Sequence, residues 1–375
     1  MKRILVIEDD PEIQSWLVQC LEKIPYGVLA ASDGLAGYEL AKKEKIDLVV
    51  LDHDLPGKNG REICRSLRQE GIRTPILMLT DKGGQTDKVL TLGMGADDYM
   101  TKPFGTREFL ARISTLLKRK QELDSAVDQA AEFTRELETA RSVQEKLFPR
   151  KLPAHKSWDF AALCRPARAV GGDYYDLFEA APGKVLMALG DVSGKGLGPS
   201  LLMAGVQATI KSRAGACLEN PLALIAEVNR NLLFSSSPED FLTLFLGILD
   251  LDNGQLTYAN CGHPPPLLFR QENPEPERLA EGGTVLGALE ECPCSLGRCQ
   301  LNSGDVLALF SDGLTEAANE AGEMFEEEKL IQVLREIGEQ SAAPLLNEIL
   351  GAVERFAAEA EQRDDISLMV IHRSF

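Results

Sequence analysis

Two sets of acidic residues stand at spacings that could do chemistry. In the first, Glu8 and Asp9 end the apolar run "RILVI", Asp52 ends "IDLVVLD", Thr80 ends "TPILMLT", and Lys102 follows "DDYMT". In the second, Asp191 follows "KVLMALG", Asp173 and Asp176 lie in "VGGDYYD", Asp312 lies in "LFSDGLTEA", and Asp364 and Asp365 lie in "QRDDISLMV". Acids gathered at one edge repel each other unless a divalent cation binds, and magnesium takes oxygen ligands from one or two carboxylates. Such a cation also screens a carboxylate against an incoming phosphoryl group, so that Asp52 can attack phosphorus. In the second set glycines flank Asp173 and Asp312, which suits backbone that must come close to hard cations. A pair of ions about 3.5 to 4 Å apart can activate water and hold phosphoryl oxygens without a protein nucleophile. None of the four histidines is needed as a ligand.

The loop "GDVSGKG" also raises a nucleotide reading. A Walker loop needs four residues between its first glycine and Gly-Lys, then Ser or Thr. Here Gly190 and Gly194 bracket only three residues, and Gly196 follows Lys195. The spacing speaks against a phosphate cradle. The purpose of Asp191 stays open at this point.

The elements that position these residues follow from pattern. Up to about residue 118, short β-branched runs alternate with amphipathic stretches, the signature of a doubly wound parallel sheet, and ligands collect beyond the carboxyl ends of such strands. From about 157 onward, strand-like runs dominate ("KVLMALGD", "FLTLFLGILD", "QLTYANCG", "DVLALFSD"), with helical patterns at 199–213, 221–234 and 341–360, which reads as an α+β domain. Between them lies a charged, glycine-free segment. Leu116, Leu123, Ala126, Ala130, Phe133, Leu137, Ala140 and Leu147 recur there at spacings of three, four and seven, interrupted by Arg119 and Gln144. This is a heptad seam, open to a helix packed within the chain or to a two-stranded coiled coil and homodimer. Pro149 and Pro153 stop it. The expected division is a domain over 1–120, a helical coiled-coil linker over 121–150 and a second domain over 151–375.

At 375 residues and a net charge of −18, the chain is too long for one ordinary core and too acidic for direct DNA binding through its overall field. No apolar run reaches the about 18 residues of a membrane span, and Met1 leads straight into a strand pattern, so a cytoplasmic protein is expected. Eight scattered cysteines suit reduced thiols. Cys292, Cys294 and Cys299 invite a zinc reading but lack a second ligand pair at a familiar spacing, and loop thiols without metal are the better expectation.

The motifs "VIEDDP", "LDHDLPGKNG", "MLT" and "DDYMTKPF" occur in order, and on them the first 120 residues resemble the receiver domain of bacterial response regulators. The resemblance implies a flavodoxin-like fold, Asp52 as phosphoacceptor, and Mg2+ held by Glu8, Asp9, Asp52 and the backbone carbonyl of Asp54. It also implies that Thr80 senses the phosphoryl group, Lys102 pairs with it, Tyr99 is the switch aromatic, and a sensor histidine kinase is the partner. Asp54 is a competing acceptor that stands two residues beyond the strand. Asp81 departs from the small residue usual after the threonine.

"ELETARSVQEKLFPRKLP", "RPARAVGGDYYD", "GDVSGKG", "YANCGHPPPLL", "SGDVLALFSDGLTEA" and "RDDISLMV" likewise resemble the metal-dependent serine/threonine phosphatases related to protein phosphatase 2C, in their bacterial branch acting on sporulation and stress sigma factors. That implies a layered β-sandwich flanked by helices and two Mn2+ or Mg2+ ions. Asp191 would bridge the ions, the Val192 backbone carbonyl and Asp173 would complete the first, and Asp312 and Asp364 would hold the second. Gly194 and Gly196 would keep the loop tight. Ser311 and Cys261 depart from the usual threonine and alanine without removing a ligand, and His263, followed by three prolines, reads as a rigid turn rather than a catalytic acid. The implied substrate is a phosphorylated anti-anti-sigma (STAS-like) protein. The alternative is a catalytically weak adaptor for a sigma-factor regulator, although an adaptor has little chemical reason to keep four metal carboxylates.

Overall fold

The computed structural model describes residues 1–81, 95–215, 218–237, 239–271, 273–337 and 340–374. The chain forms two compact units, Met1–Phe133 and Thr134–Phe375.

In the first unit, strands β1 (Arg3–Ile7), β2 (Gly27–Ala31), β3 (Leu48–Asp52), β4 (Ile76–Thr80) and β5 (Asp98–Thr101) form a sheet in the order β2-β1-β3-β4-β5. All its pairs are parallel. Side chains alternate between its faces. Ile4 and Val6 pack with Leu17 and Phe109 on one side, whereas Leu5 and Ile7 pack with Ile63 and Leu67 on the other. Helices α1 (Pro11–Glu22), α2 (Gly34–Lys43) and α3 (Gly60–Gln69) start on the caps Asp10, Asp33 and Asn59, whose side chains accept first-turn N–H groups. With both faces covered, only the carboxyl edge of the sheet is left for polar residues. Glu8, Asp52, Thr80 and Lys102 stand there.

Helix α4 runs unbroken from Thr106 to Gln144. Its first turns bury Phe109, Ile113, Leu116 and Leu117 in the core of the first unit, while Leu123, Val127 and Phe133 are exposed. The structure therefore starts this helix well before residue 121 and ends it before 150. Leu116 belongs to a core rather than to a free seam. Leu147 lies past the helix and packs on the second unit's core. Gln144, an interruption in the heptad reading, is buried.

The second unit stacks two sheets. One contains β7 (Asp173–Ala181), β8 (Lys184–Val192), β9 (Leu242–Asp250), β10 (Gln255–Cys261) and β13 (Gly282–Gly283), with β14 (Gly297–Gln300) also on β10. The other runs β12 (Asn273–Arg278), β11 (Leu267–Arg270), β15 (Val306–Phe310), β16 (Ile366–Arg373) and β6 (Trp158–Arg165). Leu177, Met187, Leu189 and Phe245 from one sheet meet Leu307, Leu309, Met369 and Ile371 from the other. Helices α5 (Leu197–Arg213) and α6 (Pro221–Ser235) cover the first sheet, and α8 (Glu326–Ile337) and α9 (Ala342–Ala357) cover the second. A single turn, α7 (Asp312–Thr315), follows β15. The expected helices near 199–213, 221–234 and 341–360 are α5, α6 and α9. Helix α8 was not anticipated, although Leu330, Ile331 and Leu334 line one face and Glu326–Glu328 stand in its first turn. Among the described residues, no helix is long and apolar enough to cross a membrane.

Candidate functional site

At the carboxyl edge of the first sheet, Glu8 is 1% exposed and Asp52 and Thr80 are buried. The Lys102 ammonium lies 2.7 Å from Asp52 Oδ1 and 2.9 Å from Glu8 Oε2. The Asp54 N–H donates to Asp52 Oδ2 at 2.9 Å, but the Asp54 side chain is 61% exposed and turned to His53. Asp52 thus faces the cluster and the Asp54 carboxylate does not. Tyr99 is half-buried on β5, and Asp9 is exposed beside Glu8. Gly60 lets α3 begin against the end of β3, since a Cβ there would lie 2.2 Å from the Asp52 carbonyl oxygen.

Glu8, Asp9 and Asp52 each offer a ligand atom within 4.8 Å of the others, the one place among the described residues where three such groups converge so closely. Burial raises the Glu8 carboxyl above its ordinary range and the Asp52 charge adds to this, while hydrogen bonds from Lys102 work the other way. Burial pulls Lys102 down, but its bonds to Asp52 and Glu8 outweigh that, so the amine is raised and stays a cation. An all-oxygen donor set of this kind fits a hard divalent ion.

In the second unit, Asp173 and Asp191 sit directly opposite each other at the open end of the β7–β8 hairpin. Gly172 allows this loop to close on the end of β8, since a Cβ would come 2.6 Å from the Val192 carbonyl oxygen. Gly194 and Gly196 hold φ of 93° and 95°, which L side chains rarely adopt, and α5 starts immediately after them. Asp312 opens α7, and Gly313 brings that turn against the Asp364–Asp365 backbone, where a Cβ would meet the Asp365 carbonyl oxygen at 2.0 Å. The Asp364 carboxylate pairs with Lys195 at 2.8 Å.

These acids act on one another. Asp191 is pushed up to about 7 by burial and by the charges of Asp312, Asp364 and Asp365. Asp173 is raised well above the carboxylate range, first by burial and then by Asp191. Burial and Asp364 also raise Asp312. Asp173 Oδ2 is buried without a hydrogen-bond partner. A hard cation would satisfy that oxygen and the mutual repulsion together, so the donor set fits metal. Three carboxylates do not converge here as tightly as in the first unit. Asp176 stands apart, fully buried and paired with Lys211 at 3.1 Å. His263 is buried with Nδ1 2.8 Å from the Thr243 hydroxyl, and burial lowers it to about 3, which leaves it neutral and unsuited to donate a proton.

Two residues that position the site escaped the motif reading. Asp365 accepts from the N–H groups of Ala167 at 2.7 Å and Gly172 at 2.8 Å, so it fixes the loop ahead of Asp173. Gln144 grips the same loop from the other side. Its amide donates to the Gly171 carbonyl at 2.7 Å, and its carbonyl accepts the Gly171 N–H at 3.1 Å. A polar interruption of the heptad seam was the available signal.

Residues 4–114 match the family model of the response regulator receiver domain, and residues 181–374 match that of stage II sporulation protein E (SpoIIE). Over 120 residues the chain is 49% identical to the alkaline phosphatase synthesis transcriptional regulatory protein PhoP of Bacillus subtilis, covering 32% of this chain and 50% of that one. The chain spans about half the length of the curated relatives it matches. Among solved structures it is similar to the SiaA-PP2C domain of Pseudomonas aeruginosa, with a TM-score of 0.57 and 21% identity over 65% of this chain and 98% of that one. It is also similar to the PP2C phosphatase domain of Bacillus subtilis SpoIIE, with a TM-score of 0.51 and 18% identity over 59% of this chain and 64% of that one. The parallel sheet of the first unit and the helix-flanked sandwich of the second are those of a receiver and a PP2C-type phosphatase domain, and the chain belongs to the SpoIIE family with a receiver domain ahead of its phosphatase domain.

Proposed function

We propose that the chain is a two-component response regulator whose output is metal-dependent dephosphorylation of phosphoserine or phosphothreonine on a partner protein. The observation that carries this reading is that Asp173, buried, and Asp191 and Asp312, half-buried, are all raised, each first by desolvation and then by neighbouring carboxylates. Asp191, Asp173 and the Val192 carbonyl would hold one Mn2+ or Mg2+ ion, and Asp191, Asp312 and Asp364 would hold a second. When bound, the pair supplies an activated water and a clamp for phosphoryl oxygens. Asp191 must shed its proton to serve, Gly194 and Gly196 keep its loop tight, and Asp365 and Gln144 hold the Gly171–Asp173 backbone in register with it.

At the input, Asp52 attacks the phosphoryl group of a donor, in the cell a sensor histidine kinase; Glu8, Asp9, Asp52 and the Asp54 carbonyl would hold Mg2+, which would screen the incoming charge. Lys102, already on Asp52, neutralises the incoming phosphoryl oxygens. Thr80 and Tyr99 respond to it. The exposed apolar positions of α4, Leu123, Val127 and Phe133, suit a coiled-coil homodimer that carries the signal. The substrate class is a phosphorylated anti-anti-sigma (STAS-like) protein in the cytoplasm. Domain limits of 1–120, 121–150 and 151–375 follow from this division of labour.

The test is phosphate release from a phosphorylated anti-anti-sigma protein with Mn2+ or Mg2+, with and without acetyl phosphate. Turnover that requires metal and changes with the donor is expected. Asp52→Asn should block labelling by the donor and the change in turnover, while Asp54→Asn should permit both. The Lys195–Asp364 pair favours a second reading, a weak adaptor, which predicts binding of the partner without turnover at any metal concentration.

A further inference from the structure

The fold breaks up the cysteine cluster of the sequence and builds another. Cys299 lies on β14 opposite Leu256 and packs on the sandwich core. Cys294 instead brings its sulfur to 3.7 Å from that of Cys261, the last residue of β10. Gly283 runs between their backbones, paired with Cys261 on one side and bridged to Cys294 on the other. Lacking a side chain, it leaves the two thiols facing each other above it. A Cβ there would lie 3.3 Å from Cys294 Cβ and 2.4 Å from the Pro293 carbonyl oxygen.

We propose that Cys261 and Cys294 form a redox-active dithiol that closes to a disulfide on exposure to peroxide, with Cys294 as the attacking and Cys261 as the resolving sulfur. The two positions differ as these roles require. Cys294 is partly exposed and Cys261 fully buried. The hydrogen bond between them holds Cys294 below the usual thiol range, and the same bond, with burial, pushes Cys261 up. The reacting species is the thiolate, so Cys294 reacts first. Its sulfur attacks one peroxide oxygen, the S–O bond forms as O–O breaks, and the departing oxygen takes a proton to leave as water or alcohol. Cys261 then loses its proton and attacks the Cys294 sulfenic acid, the S–S bond forms as S–O breaks, and water leaves. Two thiols lose two electrons, which the peroxide gains.

A disulfide needs the sulfurs at about 2.05 Å, so one segment must move. Cys261 is held in β10 by β9 and β13. Cys294 lies outside the named strands on a loop bridged to Gly283, and that loop is tied down by the Ser295 N–H donating to the Gly282 carbonyl at 3.0 Å and by the Asn229 amide donating to the Leu289 and Glu290 carbonyls. The movement falls on this loop rather than on β10. The nearby Cys292 points its thiol at the Thr284 carbonyl and does not complete a tight three-sulfur site with the pair.

The test treats the reduced full-length protein with limiting hydrogen peroxide and maps its peptides without reductant. Wild type should yield a Cys261–Cys294 cross-link lighter by two hydrogens, with Cys294 consumed about tenfold faster than Cys299. Cys261→Ser should leave Cys294 as a sulfenic acid that dimedone traps, Cys294→Ser should give neither product, and Cys299→Ser should behave as wild type. Far-UV circular dichroism checks that each variant is folded. The proposal is overturned if folded wild type is oxidised without this cross-link, if Cys294 reacts no faster than Cys299, or if Cys261→Ser traps no sulfenic acid at Cys294.

Discussion

The two acid clusters solve the same electrostatic problem differently. In the receiver, a lysine from β5's far end reaches into the cluster and contacts both buried carboxylates, Asp52 and Glu8. In the phosphatase domain the corresponding amine, Lys195, is about a third exposed and touches Asp364 at the rim, while Asp173 and Asp191 face each other with no side-chain cation paired to either among the described residues. The receiver therefore keeps its acids close without metal. The phosphatase domain must hold protons or metal in its place. One cluster carries its own counter-ion, and the other leaves its carboxyls raised.

The largest expected effect comes from removing the centre of the uncompensated cluster. Asp191→Ala should lower metal-dependent phosphate release by about a thousandfold, as expected when roughly 4 kcal/mol of transition-state stabilisation is lost. The fold should survive, because the substitution removes repulsion. Measured turnover near the wild-type rate would break the comparison at its core.

Proton linkage sharpens it next. Asp191 moves from an ordinary 3.8 to about 7 in the folded, metal-free protein. Between those values the folded state holds a proton that the unfolded chain has released, so this group's contribution is fully present below about pH 4 and is lost as pH rises toward 7. The loss is bounded at about 4 kcal/mol. A metal ion bound there would displace that proton and reverse the penalty. Melting curves of the phosphatase domain within the full chain should show a manganese-induced gain in Tm that grows from pH 5 to pH 8, and an equal gain at both would mean that the acids do not repel as described.

Much of both sites was legible because several of the residues end an apolar run. Asp52, Thr80 and Asp191 needed only the strand pattern to be placed at a sheet edge, and the parallel order of the first sheet follows from its βα alternation. What was not legible depends on contacts between distant segments. Asp365 is one more acid beside Asp364, without a role, until the loop of Gly172 closes on it, and Gln144 reads as an interruption of a heptad until Gly171 meets its amide. Cys261 and Cys294 are separated by a β-strand whose glycine is what allows them to meet. Hydrophobic period places elements, but it does not report which loop backbone crosses which side chain.

The two lysines test the comparison directly. Lys102→Ala strips the receiver of its internal counter-ion and leaves Glu8 and Asp52 buried and unpaired, which should cost about 3 kcal/mol at pH 7 without metal. Millimolar Mg2+ should recover part of this, because the ion takes over the neutralisation. Urea unfolding in a Trp158→Phe background isolates the receiver, since Trp16 is then the remaining tryptophan. Lys195→Ala is the smallest effect expected. Its pair with Asp364 is solvent-screened and competes with nothing buried, so the stability of the phosphatase domain should change by less than about 1 kcal/mol. Its absence should instead free Asp364, and the manganese concentration giving half-maximal phosphate release should stay level or fall. If Lys195→Ala destabilised its domain as much as Lys102→Ala does the receiver, the rim lysine would be a true internal counter-ion, and the two clusters would be variants of one design.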